Sequence, residues 1–315
     1  MGTRSLQFSI ACLAMGASVL LLQSHLNADY LRPWSVWRSA NARFVLVLDS
    51  LTGVLSLYDE RANHSTLCWS VPYPRAAAKG GAVPTAYITD DGTRVVVRAP
   101  WHEIWDENAI AFLGGKGEPL AAYRMQQILT KREIFESGVS PMSLWWKGDG
   151  LFFFRRGQTQ FACVTQRGTV RVFSLATGQP VSLSPGLHAA VRHEAVVLAR
   201  QSLASGDYDQ QTTGAIMVGV LGDVTSVPVL KQLLEDWRAK GIVFTIRSSG
   251  MYEGYPFYGV QAAAGEALAM LLGPDAAPLL ERKLAGANPQ MSEQWARLLD
   301  QIRPAESTGA AAGRQ

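Results

Sequence analysis

Residues that commonly carry chemistry are scarce and badly spaced in this chain. Its 315 residues include three cysteines and five histidines, none in a C-x-x-C or H-E-x-x-H arrangement, so the common zinc modules are excluded. There is no G-x-S-x-G elbow, no G-x-x-x-x-G-K-[ST] phosphate loop and no G-x-G-x-x-G dinucleotide fingerprint. His188 and His193 are five residues apart, which on a helix separates their directions by about 140° and makes a poor metal pair. No metal and no cofactor is expected. Charge is also sparse: charged residues make up 17% and the net charge is +3. Without a Lys/Arg cluster interleaved with aromatics, a nucleic-acid partner is not expected. The hydrophobic content of 48% is that of a globular chain.

Long apolar runs are missing as well. The run over residues 10–22, preceded by Arg4, would span roughly 20 Å as a helix, less than the ~30 Å hydrocarbon core. Residues 1–28 therefore read as an export signal, with an uncleaved anchor starting near Leu6 as the alternative. The expected location is extracytoplasmic, periplasmic or secreted, or else membrane-anchored facing the periplasm. In an oxidising compartment Cys68 and Cys163 are candidates for a disulfide, but isolated cysteines also serve as small buried hydrophobes.

What the chain does have is a change of period. After a linker over residues 29–42, short β-rich runs alternate with turn residues. Residues 87–124 read as one four-stranded unit, with turns at Asp90-Asp91-Gly92 and Gly114-Gly115-Lys116-Gly117. Strands are predicted over residues 43–48, 54–58, 66–71, 143–146, 151–154, 160–165 and 170–173, and a short helix over 125–135. Two internal echoes stand out: Thr89-Asp-Asp-Gly-Thr-Arg-Val95 with Thr165-Gln-Arg-Gly-Thr-Val-Arg171, and Asp49-Ser-Leu-Thr-Gly53 with Leu175-Ala-Thr-Gly178. Gly-Thr hairpins, an aromatic strand and an x-Thr-Gly turn resemble the blades of WD-repeat and quinoprotein-like β-propellers. The resemblance implies a partial propeller of three or four blades over residues 43–185.

From residue 187 to 303 the spacing turns helical. Leu221-Gly222-Asp223 and Leu272-Gly273-Pro274-Asp275 each separate an alanine-rich helix from a second helix. Pro228 and Pro278 fall in first turns, and Ser226 is placed to cap. Leu230 and Leu234 correspond to Leu280 and Leu284, on one helix face. Asp207-Tyr-Asp209 reads as a turn. This pattern resembles HEAT repeats of the short bacterial kind, also found in phycobilin lyases, with residues 291–302 as a capping helix and 304–315 as a disordered tail. The fold class is thus α+β in two domains, antiparallel β-blades followed by a helical solenoid.

Two stretches are candidate binding sites. The long connector over residues 238–259 carries Tyr252, Tyr255, Phe257 and Tyr258 among glycines, and long connectors inside domains are commonly functional; its aromatics are equally suited to packing on the β-domain. Trp101, His102 and Trp105, with Glu103, form a polar and aromatic group at a strand exit, where such residues also anchor turns. The main expectation is an exported, non-enzymatic interaction or scaffold protein with a protein partner. The alternative is an enzyme or cofactor-attachment accessory acting at the β-domain face.

Overall fold

A computed structural model describes residues 34–49, 51–61, 64–73, 85–98, 101–102, 109–130, 133, 144–145, 150–236, 259–287 and 289–303. Antiparallel β-sheets come first and helices second. The first sheet is the meander β1 (Trp34–Arg38), β2 (Phe44–Asp49), β3 (Val54–Arg61), β4 (His64–Pro72). The second pairs β5 (Thr85–Ile88), β6 (Val95–Arg98), β8 (Ile110–Leu113) and β9 (Pro119–Tyr123) in that order, and β7 (Trp101–His102) leaves it to pair with β10 (Leu144–Trp145). The third holds β11 (Leu151–Phe154), β12 (Gln160–Val164) and β13 (Val170–Ser174), with an isolated bridge from Phe173 to Pro180 along its edge.

Most strands fall within a residue or two of their expected places, because Gly turns bound many of them. Gly53, Gly92, Gly117, Gly157, Gly168 and Gly178 all take positive φ, the conformation glycine adopts without strain. The stretch read as a linker contains β1. Its buried side chain is Ser35, whereas Trp34 and Val36 are 61% and 50% exposed.

The echoes mark different places in their sheets. Residues 89–94 join the first and second strands of the second sheet, whereas residues 165–169 join the second and third strands of the third. Successive turns of a meander lie at opposite ends, so the spatial counterpart of the Asp90 turn is the β11–β12 turn over residues 155–159.

The sheets stack through their apolar faces. Phe44, Leu46, Leu48, Leu55, Leu57 and Trp69 of the first meet Ile88, Val95, Val97 and Leu113 of the second. The other face of the second sheet, with Val96, Ile110, Phe112 and Tyr123, meets Phe152, Phe161, Cys163 and Phe173 of the third. Because strand side chains alternate, Leu151, Phe153, Ala162, Val164, Val170 and Val172 face the opposite way, into the helices. Cys163 is wholly buried and Cys68 exposed on β4, and both are free thiols.

Of the helix expected over 125–135, α1 (Met125–Ile128) forms, with Ile128 and Leu129 buried; Leu129 leaves it in an extended conformation. Glu133 then reaches back to the Thr130 N–H at 2.7 Å while the Thr130 hydroxyl accepts from the Glu133 N–H at 3.2 Å, a capping box. Thr165 also donates to the buried Glu133 carboxylate, tying this segment to the turn that follows β12.

The helical region comprises α2 (Pro185–Leu203), α3 (Tyr208–Leu221), α4 (Val227–Glu235), α5 (Val260–Leu272), α6 (Ala277–Ala285) and α7 (Pro289–Ile302). Ser184 caps α2 by accepting from the Leu187 N–H, and Pro185 occupies its first turn. Asp207 is no simple turn residue: it caps α3 through the Gln210 N–H at 2.9 Å. Pro228 and Pro278 lie in first turns as expected. Leu230, Leu234 and Leu280 are buried and Leu284 partly so. Ser226 occupies the cap position of α4, but its hydroxyl makes no capping bond; it donates instead to Asp223 at 2.6 Å. Trp295, Leu298 and Leu299 of α7 are buried. Among the described residues, no helix is long and apolar enough to cross a membrane.

Candidate functional site

Three turns from three sheets meet at one end of the β-domain. Asp90, in the β5–β6 turn, sits between the other two. The Asn41 backbone N–H, from the β1–β2 turn, donates to Asp90 Oδ1 at 2.9 Å, and Asn41 Nδ2 donates to the Asp90 carbonyl at 2.8 Å. From the β11–β12 turn, Gln158 Nε2 donates to Asp90 Oδ2 at 2.9 Å and Gln158 Oε1 accepts from the Asp90 N–H at 2.7 Å. Next to these contacts lie the two non-glycine residues with positive φ among the described residues, Ala42 at 58° and Gln158 at 50°. Each costs about 1–2 kcal/mol relative to ordinary backbone, and strain of this kind collects where surrounding contacts impose a geometry.

Beside Asp90 opens a cleft of about 530 Å³, lined by Asp90, Asp91, Phe154, Arg155, Arg156, Gly157 and Gln158. Its charged groups differ in how far they are committed. Asp91 accepts from the Thr89 hydroxyl at 2.6 Å and from the Thr93 N–H and hydroxyl at 2.9 Å. Partial burial raises its pKa, but these hydrogen bonds outweigh that and hold it below the ordinary carboxylate value. Arg155 donates one hydrogen bond from each guanidinium nitrogen, with Glu194 and Gln160 as partners. Arg156 is exposed and, among the described residues, makes no hydrogen bond or ion pair. Asp90 spends one hydrogen bond on each carboxylate oxygen, and a carboxylate has roughly four acceptor positions. The cleft thus combines a carboxylate with spare acceptor capacity, a guanidinium with no partner among the described residues and a half-buried ring.

The residues singled out from sequence fall elsewhere. Trp101 and His102 are placed as strand β7, and nothing is described of their side chains. Glu103, Trp105, Tyr252, Tyr255, Phe257 and Tyr258 lie outside the described residues, as do the leader and the tail. His188 and His193 are exposed on α2. Among the described residues no cluster of three potential metal ligands occurs. Sequence reading missed the roles of Asn41, Asp90, Arg156 and Gln158; the available signal was a pair of glycine turns, TDDG and RRGQ, carrying acid, base and amide side chains.

No family model matches the chain and no curated protein matches it. Among solved structures it is similar to the periplasmic gluconolactonase PpgL of Pseudomonas aeruginosa, at 17% identity and a TM-score of 0.29, covering 48% of this chain and 38% of that one. A putative 6-phosphogluconolactonase from Bacteroides uniformis gives 13% identity and a TM-score of 0.31 over 50% and 40% of the two chains. The C-terminal WD40 domain of Sif2 gives 10% and 0.27 over 50% and 37%. The chain thus spans less than half the length of these structures. They are β-propeller folds, compatible with a partial propeller, and they lend no support to a HEAT array. The expected non-enzymatic scaffold is corrected here: a gluconolactonase and two putative 6-phosphogluconolactonases among these structures lie on the side of the alternative, an enzyme or accessory working at the β-domain face. At this level of likeness no activity carries across to the chain.

Proposed function

We propose that the chain is an enzyme or enzyme accessory acting on a small polar molecule in the cleft beside Asp90. One observation carries this reading: three sheets contribute a turn to one point, held by four hydrogen bonds around Asp90 and next to a cleft with an uncommitted Arg156. In a lactone hydrolysis, Asp90 takes a proton from the attacking water while Arg156 faces the charge that develops on the carbonyl oxygen; the ring C–O bond then breaks and its oxygen takes that proton from Asp90, leaving the open-chain acid. The helices behind the third sheet are read as a short HEAT-type array, supported by the matched Leu230 and Leu280 positions. Export is carried by the short apolar run over residues 10–22.

Gluconolactone and 6-phosphogluconolactone, one neutral and one anionic, are the first probes because their difference reports on Arg156. Acid release is followed for the parent, Asp90→Asn and Arg156→Ala, with melting curves for each. Asp90→Asn is expected to lose about 10²-fold or more in rate, the usual contribution of a general base. Arg156→Ala is expected to weaken the phosphorylated probe more than the neutral one. No rate above background on either lactone overturns hydrolysis of this class.

A further inference from the structure

We infer that Glu194, on α2, is a positioning residue for the cleft, so that the helical region sets the geometry of a site built by the sheets; the functional meaning of this rests on the reading above. Glu194 receives Arg155 in a two-point grip, Nε to Oε2 at 3.1 Å and Nη2 to Oε1 at 2.8 Å. The third guanidinium nitrogen, Nη1, donates to Gln160 Oε1 at 2.6 Å. Side-chain exposure is 17% for Arg155 and 28% for Glu194, so water competes little with this fork.

Arg155 is also the first residue of the turn. Its carbonyl accepts from the Gln158 N–H at 2.8 Å, and its N–H donates to the Gln160 carbonyl at 3.0 Å. Between these, Gly157 and Gln158 take φ of 80° and 50° in succession. The turn is therefore clamped from two sides, by Glu194 of α2 through Arg155 and by Asp90 through Gln158. Release of the first clamp frees the residue that brackets Asp90 from relying on a fixed base. A left-handed Gln158 then reverts to ordinary backbone more often, and the cleft loses one wall.

The test needs no ligand. Trypsin cleaves after arginine, and Arg156 lies at the tip of the clamped turn. Glu194→Gln, which keeps the size but removes the charge and one acceptor, is expected to speed native-state cleavage after Arg156 by about tenfold while the melting temperature stays within about 3 °C, as local opening rather than global unfolding requires. The exchanged pair Arg155→Glu with Glu194→Arg is expected to restore the parent rate to within about twofold, which a general packing role would not do. In parallel, Glu194→Gln should raise KM for gluconolactone about tenfold and leave kcat within about twofold. Unchanged cleavage in Glu194→Gln, or no recovery in the exchanged pair, overturns the positioning role. Altered cleavage without any lactone turnover in the parent leaves that role standing and removes only the proposed reaction.

Discussion

At the residue scale, Asp223 shows how much the first Leu-Gly-Asp turn holds together. Its carboxylate takes two hydrogen bonds of 2.7 Å from Arg200 and one each from Thr225 and Ser226. The Arg200 bonds drive its pKa well below the ordinary carboxylate value, against burial and with help from the two hydroxyls. In the corresponding turn before α6, where Ala276 stands in the place of Ser226, Gly273 falls at the place of Asp223, and Asp275, at the place of Thr225, is exposed. A depressed folded-state pKa stabilises above the unfolded value and is lost as pH falls through the folded one. Asp223→Asn should thus destabilise by about 2 kcal/mol at pH 7, less than a fully buried pair because Arg200 remains half exposed. The deficit should shrink as pH drops below about 4. Urea denaturation of parent and variant between pH 7 and 2 checks this; a constant gap across that range would assign the stability to packing.

At the element scale, glycine decides how closely the helices approach. A Cβ at Gly214 of α3 would strike the Ala199 carbonyl and Leu203 backbone of α2, and one at Gly265 of α5 would strike the Trp295 ring of α7. At Gly219 of α3 it would lie 2.8 Å from the Ala267 Cα of α5. In an open helix Gly→Ala stabilises by about 1 kcal/mol, but backbone cannot yield as a side-chain tip does. Gly219→Ala should therefore destabilise by about 1–3 kcal/mol, measured as a shift in urea midpoint at constant m-value. The helices themselves were legible in the sequence because apolar period and proline position agreed. β1 was not, because its polarity is inverted: Ser35 points inward and Trp34 and Val36 outward. The cleft was not legible either, since Asp90 meets residues 49 and 68 positions away in sequence, and the TDDGT and TQRGT likeness pointed to the wrong end of the third sheet.

At the scale of the whole molecule, the third sheet is the wall between two interiors. Phe152, Phe161, Cys163 and Phe173 serve the aromatic side, and Leu151, Phe153, Ala162, Val164, Val170 and Val172 serve the helical side. The helices stand where a further sheet would stack, so the array of sheets is closed off at this end by a different kind of structure. Neither side can keep its core without the wall, and one cooperative unfolding transition is expected. Calorimetry showing two resolved transitions would mean that the two halves fold independently. The alternation across the wall also has an arithmetic consequence. Its strands obey a rule of parity: a one-residue shift of β12 in its pairing would send Phe161 and Cys163 to the helices and Ala162 and Val164 to the rings, whereas a shift of two restores each to its own side. An extra residue in the loop that borders the cleft must therefore be absorbed within the turn itself, and the shape of the cleft is free to change only as far as the two interiors permit.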